Sequence, residues 1–465
     1  MTIGTRSARA LGAALGTAAL ALALVPAVPS EPARASSPPT PNIVVIVTDD
    51  QRDDNMRYMP KTRRYFKDQG TTFRNAFVTT PVCCPSRASI LTGQYAHNHG
   101  VETSDDPDEA AVAAQWMIQR PLRQAGYATA FFGKFVNHWD LNLDPPDLDQ
   151  WAIFGNSAPN GYWGGGWNVD GQIRRIDKYS TTFLKSRAVR FVEDQEFRDD
   201  RPWFLYIAPA APHPPFDAER RYIDARIRRW KPTPAVREQD LSDKPFWVQQ
   251  VGNPPRKGQE TRAKQLRTLM SVDDLVGSVM DTLQRNDEDR DTLAIFTSDN
   301  GYMWSDHGLG SKRWPYEPSV EVPLLVRWPG RVTPGSHQTP LVANIDIAPT
   351  LAQAAGVELP TADGRSLFGS PERERLLLEY VRHHVTYPPT WAGTLTKDYQ
   401  YVEYYDEEGM APIYREYYDL EDDPWQLLNV LGDLDPTNDV SPERAAELSV
   451  QLADDRGCAG PQDCP

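Results

Sequence analysis

The chain has 465 residues and a formal net charge of −15. That length is enough for a large core, one big domain with a smaller one attached. An acidic chain gives no reason to expect nucleic acid or an anionic membrane as partner, so if its substrate is an anion the positive charge must be local.

At the N-terminus, Arg6 and Arg9 precede an apolar run from Leu11 to Val28, and Ala33-Arg34-Ala35 offers a small-residue cleavage site. This is the layout of a secretory signal peptide. The run is broken at Pro26 and Pro29 and is short for a membrane span. Residues 1–35 are therefore expected to be removed and the mature chain secreted, with no stable membrane insertion. Removal deletes Arg6, Arg9 and Arg34 but only one acid, Glu31, leaving a mature chain near −17.

Residues 36–41 read as a linker. "NIVVIVT" at 42–48 is a continuous β-branched run, the signature of a strand buried on both faces, and it ends in Asp49-Asp50. "YATAFFGK" ends at Lys134, "WFLYIA" passes into a Pro-rich loop at His213, and "TLAIFTS" ends in Asp299-Asn300. An amphipathic helix is expected from about Glu260 to Leu283, with Leu266, Leu269, Met270, Val276, Val279, Met280 and Leu283 on one stripe. Apolar strands alternating with such helices predict an α/β fold with a mostly parallel sheet covered on both faces. Ligands of such sheets sit beyond the carboxyl ends of the strands, and polar groups stand there on four strands. After about Gly369 the texture changes to short aromatic strands, "ERLLLEYV", "DYQYVEYY" and "IYREYYDL". They predict a smaller antiparallel sheet in a subdomain 370–465, after a main domain 36–369.

Asp49, Asp50, Asp299 and Asn300 supply three carboxylates and an amide oxygen. All-oxygen ligation suits a hard cation, Ca²⁺ or Mg²⁺. Cys458 and Cys464 lie in "GCAGPQDCP"; in an exported chain so short a loop is expected to close as a disulfide. Cys83 and Cys84 are adjacent and need another explanation. His383-His384 is not expected to bind metal, since neighbours on a strand face opposite ways. "HNH" at 97–99 reads more readily as packing of its own turn. The aromatic segment 135–167 reads equally as a sugar-stacking platform or as a cluster beneath a long loop.

"CCPSR" at 83–87, followed by "LTG" at 91–93, resembles the signature of the sulfatase family within the alkaline phosphatase superfamily. "VTDDQ" at 47–51, "HNHGV" at 97–101, "FFGK" at 131–134, "APHPPF" at 211–216, "TSDNG" at 297–301, "NIDIAPTL" at 344–351 and the "YDLEDDPWQLLNV" tail extend the likeness over most of the mature chain. With "KRWPYE" at 312–317, the chain looks most like the branch containing N-acetylglucosamine-6-sulfatases and extracellular heparan sulfatases. The resemblance implies a sulfuric ester hydrolase acting on a sulfated carbohydrate or aryl sulfate. It implies that a formylglycine-generating maturation enzyme oxidises Cys83 to formylglycine (3-oxoalanine), which joins the metal ligands, with Cys84 the variable residue. One hydroxyl of the hydrated aldehyde attacks sulfur and expels the alcohol; the second then loses its proton and sulfate is eliminated. By position, Arg87 would hold the hydrate, Lys134 and Lys312 the sulfate oxygens, and His213 would protonate the leaving alcohol.

The chain departs from the arylsulfatase pattern G-K-x-H after Lys134, so the base at the formylglycine hydroxyl is left to His138 or His307. Two rivals remain at this stage. One is a phosphodiesterase or phosphonate monoester hydrolase of the same superfamily; the other is an inactive protein that binds sulfated glycans.

Overall fold

Residues 42–48 need no polar alternation because both of their faces are covered. Ile43, Val45 and Val47 enter one buried cluster, Val44 and Ile46 the other. The computed structural model describes residues 40–104, 113–137, 139–155, 161–369, 372–382, 388–407, 409 and 411–465. The expected signal peptide, His138 and the His383-His384 pair lie outside them. Thr40–Pro465 form one unit.

The strands are, in order, β1 (Asn42–Thr48), β2 (Thr71–Phe77), β3 (Ala128–Gly133), β4 (Gln150–Phe154), β5 (Gly166–Val169), β6 (Gln172–Arg175), β7 (Trp203–Ala208), β8 (Thr292–Ser298), β9 (Met303–Trp304), β10 (Gly310–Ser311), β11 (Leu324–Arg327) and β12 (Ser336–Ala343). Ten of them form one sheet in the order β12-β2-β11-β8-β1-β7-β3-β4-β5-β6, and β9 pairs with β10 apart from it. The central run β8-β1-β7-β3-β4 is parallel throughout. Antiparallel pairs enter at β11 and at β5 and β6. The expected α/β architecture with a mostly parallel sheet is what the chain forms.

The long helix runs Pro255–Arg285, a turn and a half earlier than expected, because Pro255 suits the first helical turn. It packs with the helix Ser180–Arg198 on one face of the sheet, through Leu184, Phe191, Leu266, Leu269, Val276 and Leu283. Each such side chain contributes about 1.5–3 kcal/mol on burial. The helices Cys83–Thr92 and Ile347–Ala355 cover the other face. Among the described residues no helix is long and apolar enough to cross a membrane.

The C-terminal sheet is antiparallel and has four strands, β13 (Leu376–Tyr380), β14 (Trp391–Leu395), β15 (Tyr399–Tyr405) and β16 (Pro412–Asp419). Its Leu377, Trp391 and Tyr404 share a third cluster with Val78, Val82 and Tyr95 of the main sheet's connections, so it braces the segment leading to Cys83. Cys458 and Cys464 are joined in a disulfide, Cα–Cα 5.0 Å.

Candidate active site

Consecutive side chains on a strand point to opposite faces, yet Asp49 and Asp50 converge. Asp50 does so by leaving β1 in the left-handed region, φ 73°. For a non-glycine residue that conformation costs on the order of 1–3 kcal/mol and persists where the surroundings hold it. Here the Asp50 amide donates to Asp299 Oδ1 at 3.0 Å. The parallel pairing of β1 with β8, Thr48 opposite Ser298, brings the two strand ends together. Asp49, Asp50 and Asp299 are buried, and their carboxylate oxygens lie within 4.8 Å of one another.

Cys83 opens the helix Cys83–Thr92, every residue of which is buried. Its Sγ donates to Asp49 Oδ1 at 3.4 Å and accepts from Lys312 Nζ at 2.8 Å. Arg87, one turn on, donates through Nε to Asp299 Oδ2 at 2.8 Å and through Nη1 to the Lys134 carbonyl at 2.8 Å. Lys134 Nζ donates to Asp49 Oδ2 at 2.7 Å, and Lys312 Nζ donates to Asp50 Oδ1. Burial and the Asp49 carboxylate push the Cys83 thiol up to about 12, against the pull of Lys134 and Lys312. It is therefore no thiolate nucleophile. Burial also works on Asp49, but Lys134, His213 and Arg87 outweigh it and hold Asp49 well below the usual carboxylate range. Burial and Asp49 push Asp299 up to about 6.

The residues fit a hard cation. Asp50 Oδ2 and Asn300 Oδ1, one from each strand end, are buried and accept no hydrogen bond among the described residues. Unpaired buried oxygens are costly unless a ligand satisfies them. The three carboxylates are already balanced by Lys134, Lys312 and Arg87, so a divalent cation would leave the cluster net positive, the sign an anionic ester requires.

His213 stands at the mouth, its side chain 38% exposed, with Nε2 4.0 Å from Asp50 Oδ2. A ring nitrogen of His213 lies within 4.8 Å of Cys83 Sγ and an Asp49 oxygen. The 2.7 Å contact between Nδ1 and the Pro214 carbonyl requires a proton on Nδ1, so Nε2 is the atom turned to the site. Burial lowers the His213 pKa, against the pull of Asp49 and Asp50.

The other described histidine candidates have partners of their own. His307 is buried, bonds Glu238 Oε2 through Nδ1 at 2.6 Å and packs on Tyr316 at 4.5 Å. His97 bridges Glu379 and the Cys458 carbonyl, and His99 bonds Ser89 Oγ and the Val101 amide. Both therefore fasten the turn after the Cys83 helix. In the aromatic segment, Trp139, Tyr162 and Trp167 are buried, while Trp163 lines an open pocket.

Two residues escaped the sequence reading. Gln265 Nε2 donates to the Asp50 and Pro212 carbonyls at 3.3 and 3.2 Å, and Tyr162 Oη donates to the His213 carbonyl at 2.7 Å. Gln265 was detectable in principle, as a polar residue within the apolar stripe of the long helix.

A family model for sulfatases matches residues 41–357, and one for the N-sulphoglucosamine sulphohydrolase C-terminal region matches residues 305–453. The chain belongs to the sulfatase family. It is 30% identical over 486 residues to the N-acetylglucosamine-6-sulfatase of Homo sapiens, covering 90% of this chain and 85% of that one. A putative extracellular sulfatase Sulf-1 homolog of Caenorhabditis elegans is 32% identical over 387 residues, 76% of this chain. The chain spans 52% of the length of that relative and 31% of a Drosophila melanogaster extracellular sulfatase SULF-1 homolog. A structure solved with its substrate D-glucosamine-2-N,6-O-disulfate superposes with a TM-score of 0.73 at 23% identity, covering 89% of this chain and 97% of that one. The fold is that of alkaline phosphatase-like sulfatases.

Proposed function

We propose that the chain is a secreted sulfuric ester hydrolase that removes sulfate from a sulfated carbohydrate. Cys83 would be converted to formylglycine by a separate maturation enzyme. The carrying observation is the buried cluster in which Asp49, Asp50, Asp299, Arg87, Lys134 and Lys312 surround Cys83, with His213 at its mouth. Membership of the sulfatase family supports the reaction, and the N-acetylglucosamine-6-sulfatase relatives support an amino-sugar sulfate as substrate. Residues 36–369 would form the catalytic domain and 370–465 the subdomain that braces it.

Asp49, Asp50, Asp299 and Asn300 would hold Ca²⁺ or Mg²⁺, with the modified residue 83 beside them. The cation supplies stabilisation of charge on sulfuryl oxygens and lowers the pKa of a hydroxyl next to it. Hydrated formylglycine supplies a hydroxyl nucleophile and, in its second hydroxyl, a way to release sulfate. Lys312 bonds Cys83 Sγ directly and Lys134 bonds Asp49, the carboxylate that the thiol also touches, so both would be placed to grip sulfate oxygens where negative charge must be held. Arg87 fixes Asp299 and the Lys134 backbone, so that lysine and carboxylate keep their places. His213 turns Nε2 inward, where it would give a proton to the departing alcohol, and the negative charge of an arriving sulfate favours its protonated form. His307 is committed to Glu238 through Nδ1, which leaves the base at the formylglycine hydroxyl between its Nε2 and His138.

The test is turnover of sulfate and phosphate monoesters side by side, using chain produced with a formylglycine-generating enzyme. Preferred release of sulfate, from a glucosamine 6-sulfate in particular, is expected. Preferred release of phosphate would favour a phosphoester hydrolase, and glycan binding without turnover of either would favour an inactive binder.

A further inference from the structure

An acidic chain that handles an anionic polymer must concentrate positive charge where the polymer lies. The stretch 220–231, "RRYIDARIRRWK", does this: six of its twelve residues are Arg or Lys and one is acidic. Arg220, Arg226, Arg228, Arg229 and Lys231 are exposed, as is Lys264 on the neighbouring long helix. Arg221 pairs with Glu219 and Asp274, whereas the other six basic side chains make no ion pair among the described residues.

After the 3-10 turn Arg220–Tyr222 the stretch has no helix or strand, but it is fixed in place. Arg267 Nε donates to the Ala225 carbonyl at 3.1 Å, Arg262 Nη1 to the Arg228 carbonyl at 3.2 Å, and the Trp230 amide to Gln259 Oε1 at 2.9 Å. The partners on the helix fall from 267 to 259 as the stretch advances from 225 to 230, so it runs antiparallel along the helix for about 12 Å. Ile227 packs into the core beneath it. The basic row is thus a built surface.

That row continues the chain segment that carries His213. A pocket of about 740 Å³ is lined by Trp163, Pro215, Phe216, Arg220, Lys264 and Arg267, three cationic side chains against one acid, Asp217. Its wall starts two residues after His213, on the same loop. The Arg220 guanidinium lies 6.0 Å over the Trp163 ring. Aromatic faces beside cations suit a sugar ring carrying anionic groups. On the proposed reaction, sulfate is gripped inside by Lys134 and Lys312 and the alcohol leaves past His213. The remainder of the substrate must emerge on His213's side, where this pocket lies.

We propose that the Trp163–Phe216 pocket and the basic row Arg226–Lys231 form an extended binding surface for a sulfated polysaccharide chain, so that the enzyme engages polymer well beyond the sugar it desulfates. This rests on the sulfatase reading above. It makes the chain length of the substrate, as well as the identity of the reacting sugar, a determinant of affinity.

The test uses the full mature chain, heparin and a length series of sulfated oligosaccharides. One variant combines Arg226→Gln, Arg228→Gln, Arg229→Gln and Lys231→Gln; a second carries Lys at the three arginine positions and keeps the charge. Heparin affinity, read by titration without turnover, should fall about tenfold or more in the Gln variant, with a shallower dependence on salt. The Lys variant should retain most of it. The ratio of kcat/KM on long oligosaccharides to kcat/KM on nitrophenyl sulfate should fall in parallel. Unchanged heparin affinity in a Gln variant that melts like the parent overturns the proposal. Equally strong binding of single-stranded DNA or phosphatidylserine vesicles, lost in the same variant, overturns the assignment to sulfated glycans. Heparin binding with no turnover of any sulfate ester would instead overturn the reaction and leave the surface standing.

Discussion

Removing the imidazole of His213 should separate two kinds of substrate. A sugar alkoxide leaves slowly unless a proton arrives with it, whereas nitrophenolate leaves unaided. His213 is placed to deliver that proton: Nδ1 is fixed by the Pro214 carbonyl at 2.7 Å, and Nε2 faces the cluster 4.0 Å from Asp50 Oδ2. General acid catalysis contributes about 10²–10⁴-fold, equivalent to roughly 3–5 kcal/mol of barrier. His213→Ala should lose that factor in kcat on a sulfated sugar and much less on nitrophenyl sulfate. The imidazole is partly exposed, so the fold should tolerate the change. Lys134→Ala, which removes a grip on sulfate oxygens common to both substrates, should slow both comparably. The assay is steady-state hydrolysis of the two esters by the two variants. Equal losses on both substrates for His213→Ala would remove it from the acid role and return attention to His138 and His307.

Chelation of divalent cations should abolish activity and lower the melting temperature, since cation at about 100 times its Kd stabilises by about 2.7 kcal/mol; full activity in verified metal-free protein would refute the oxygen cluster as a cation site. His97, drawn up to about 9 by Glu379 and the Cys458 carbonyl despite its burial, contributes stability through its charged form. That contribution is complete below about pH 6.5 and is lost as pH rises through about 9, a swing of roughly 3 kcal/mol. The melting-temperature gap between parent and His97→Gln should therefore narrow from about pH 6 to about pH 9.5, and a gap independent of pH would contradict the pairing. Cys84 is buried in the core cluster, so Cys84→Ala should cost about 1–2 kcal/mol of stability while activity stays close to the parent's; loss of turnover comparable to Cys83→Ala would mean that the wrong cysteine has been assigned.

The central strands were legible because burial on both faces writes itself as continuous apolar sequence, as in β1, β3, β7 and β8. The edges were not. β6 is exposed throughout, so "QIRR" carries no packing signal. β14, "WAGTL", an interior strand of the small sheet, was missed for another reason: it holds a glycine whose missing side chain makes room for the Tyr401 carbonyl, 2.9 Å from where a Cβ would stand. In the site, the paired acids at two strand ends announced an oxygen cluster. What strand periodicity could not show is the left-handed turn at Asp50 that lets neighbours converge. The roles given to Arg87, Lys134 and Lys312 came from the motif resemblance, because nothing in the local sequence says that Arg87 meets Lys134 across 47 residues of chain or that Lys312 meets Cys83 across 229. The basic stretch 220–231 was passed over in the sequence, because its meaning depends on its place along the long helix and after the His213 loop.

The most direct test of the account is the mass of the tryptic peptide Asn75–Arg87 from active enzyme. The reading requires this peptide to be lighter than its encoded sequence by the exchange of one cysteine's SH and H for a carbonyl oxygen, with the change at Cys83 and with the thiol of Cys84 intact. Active enzyme whose peptide carries both thiols unmodified would contradict it.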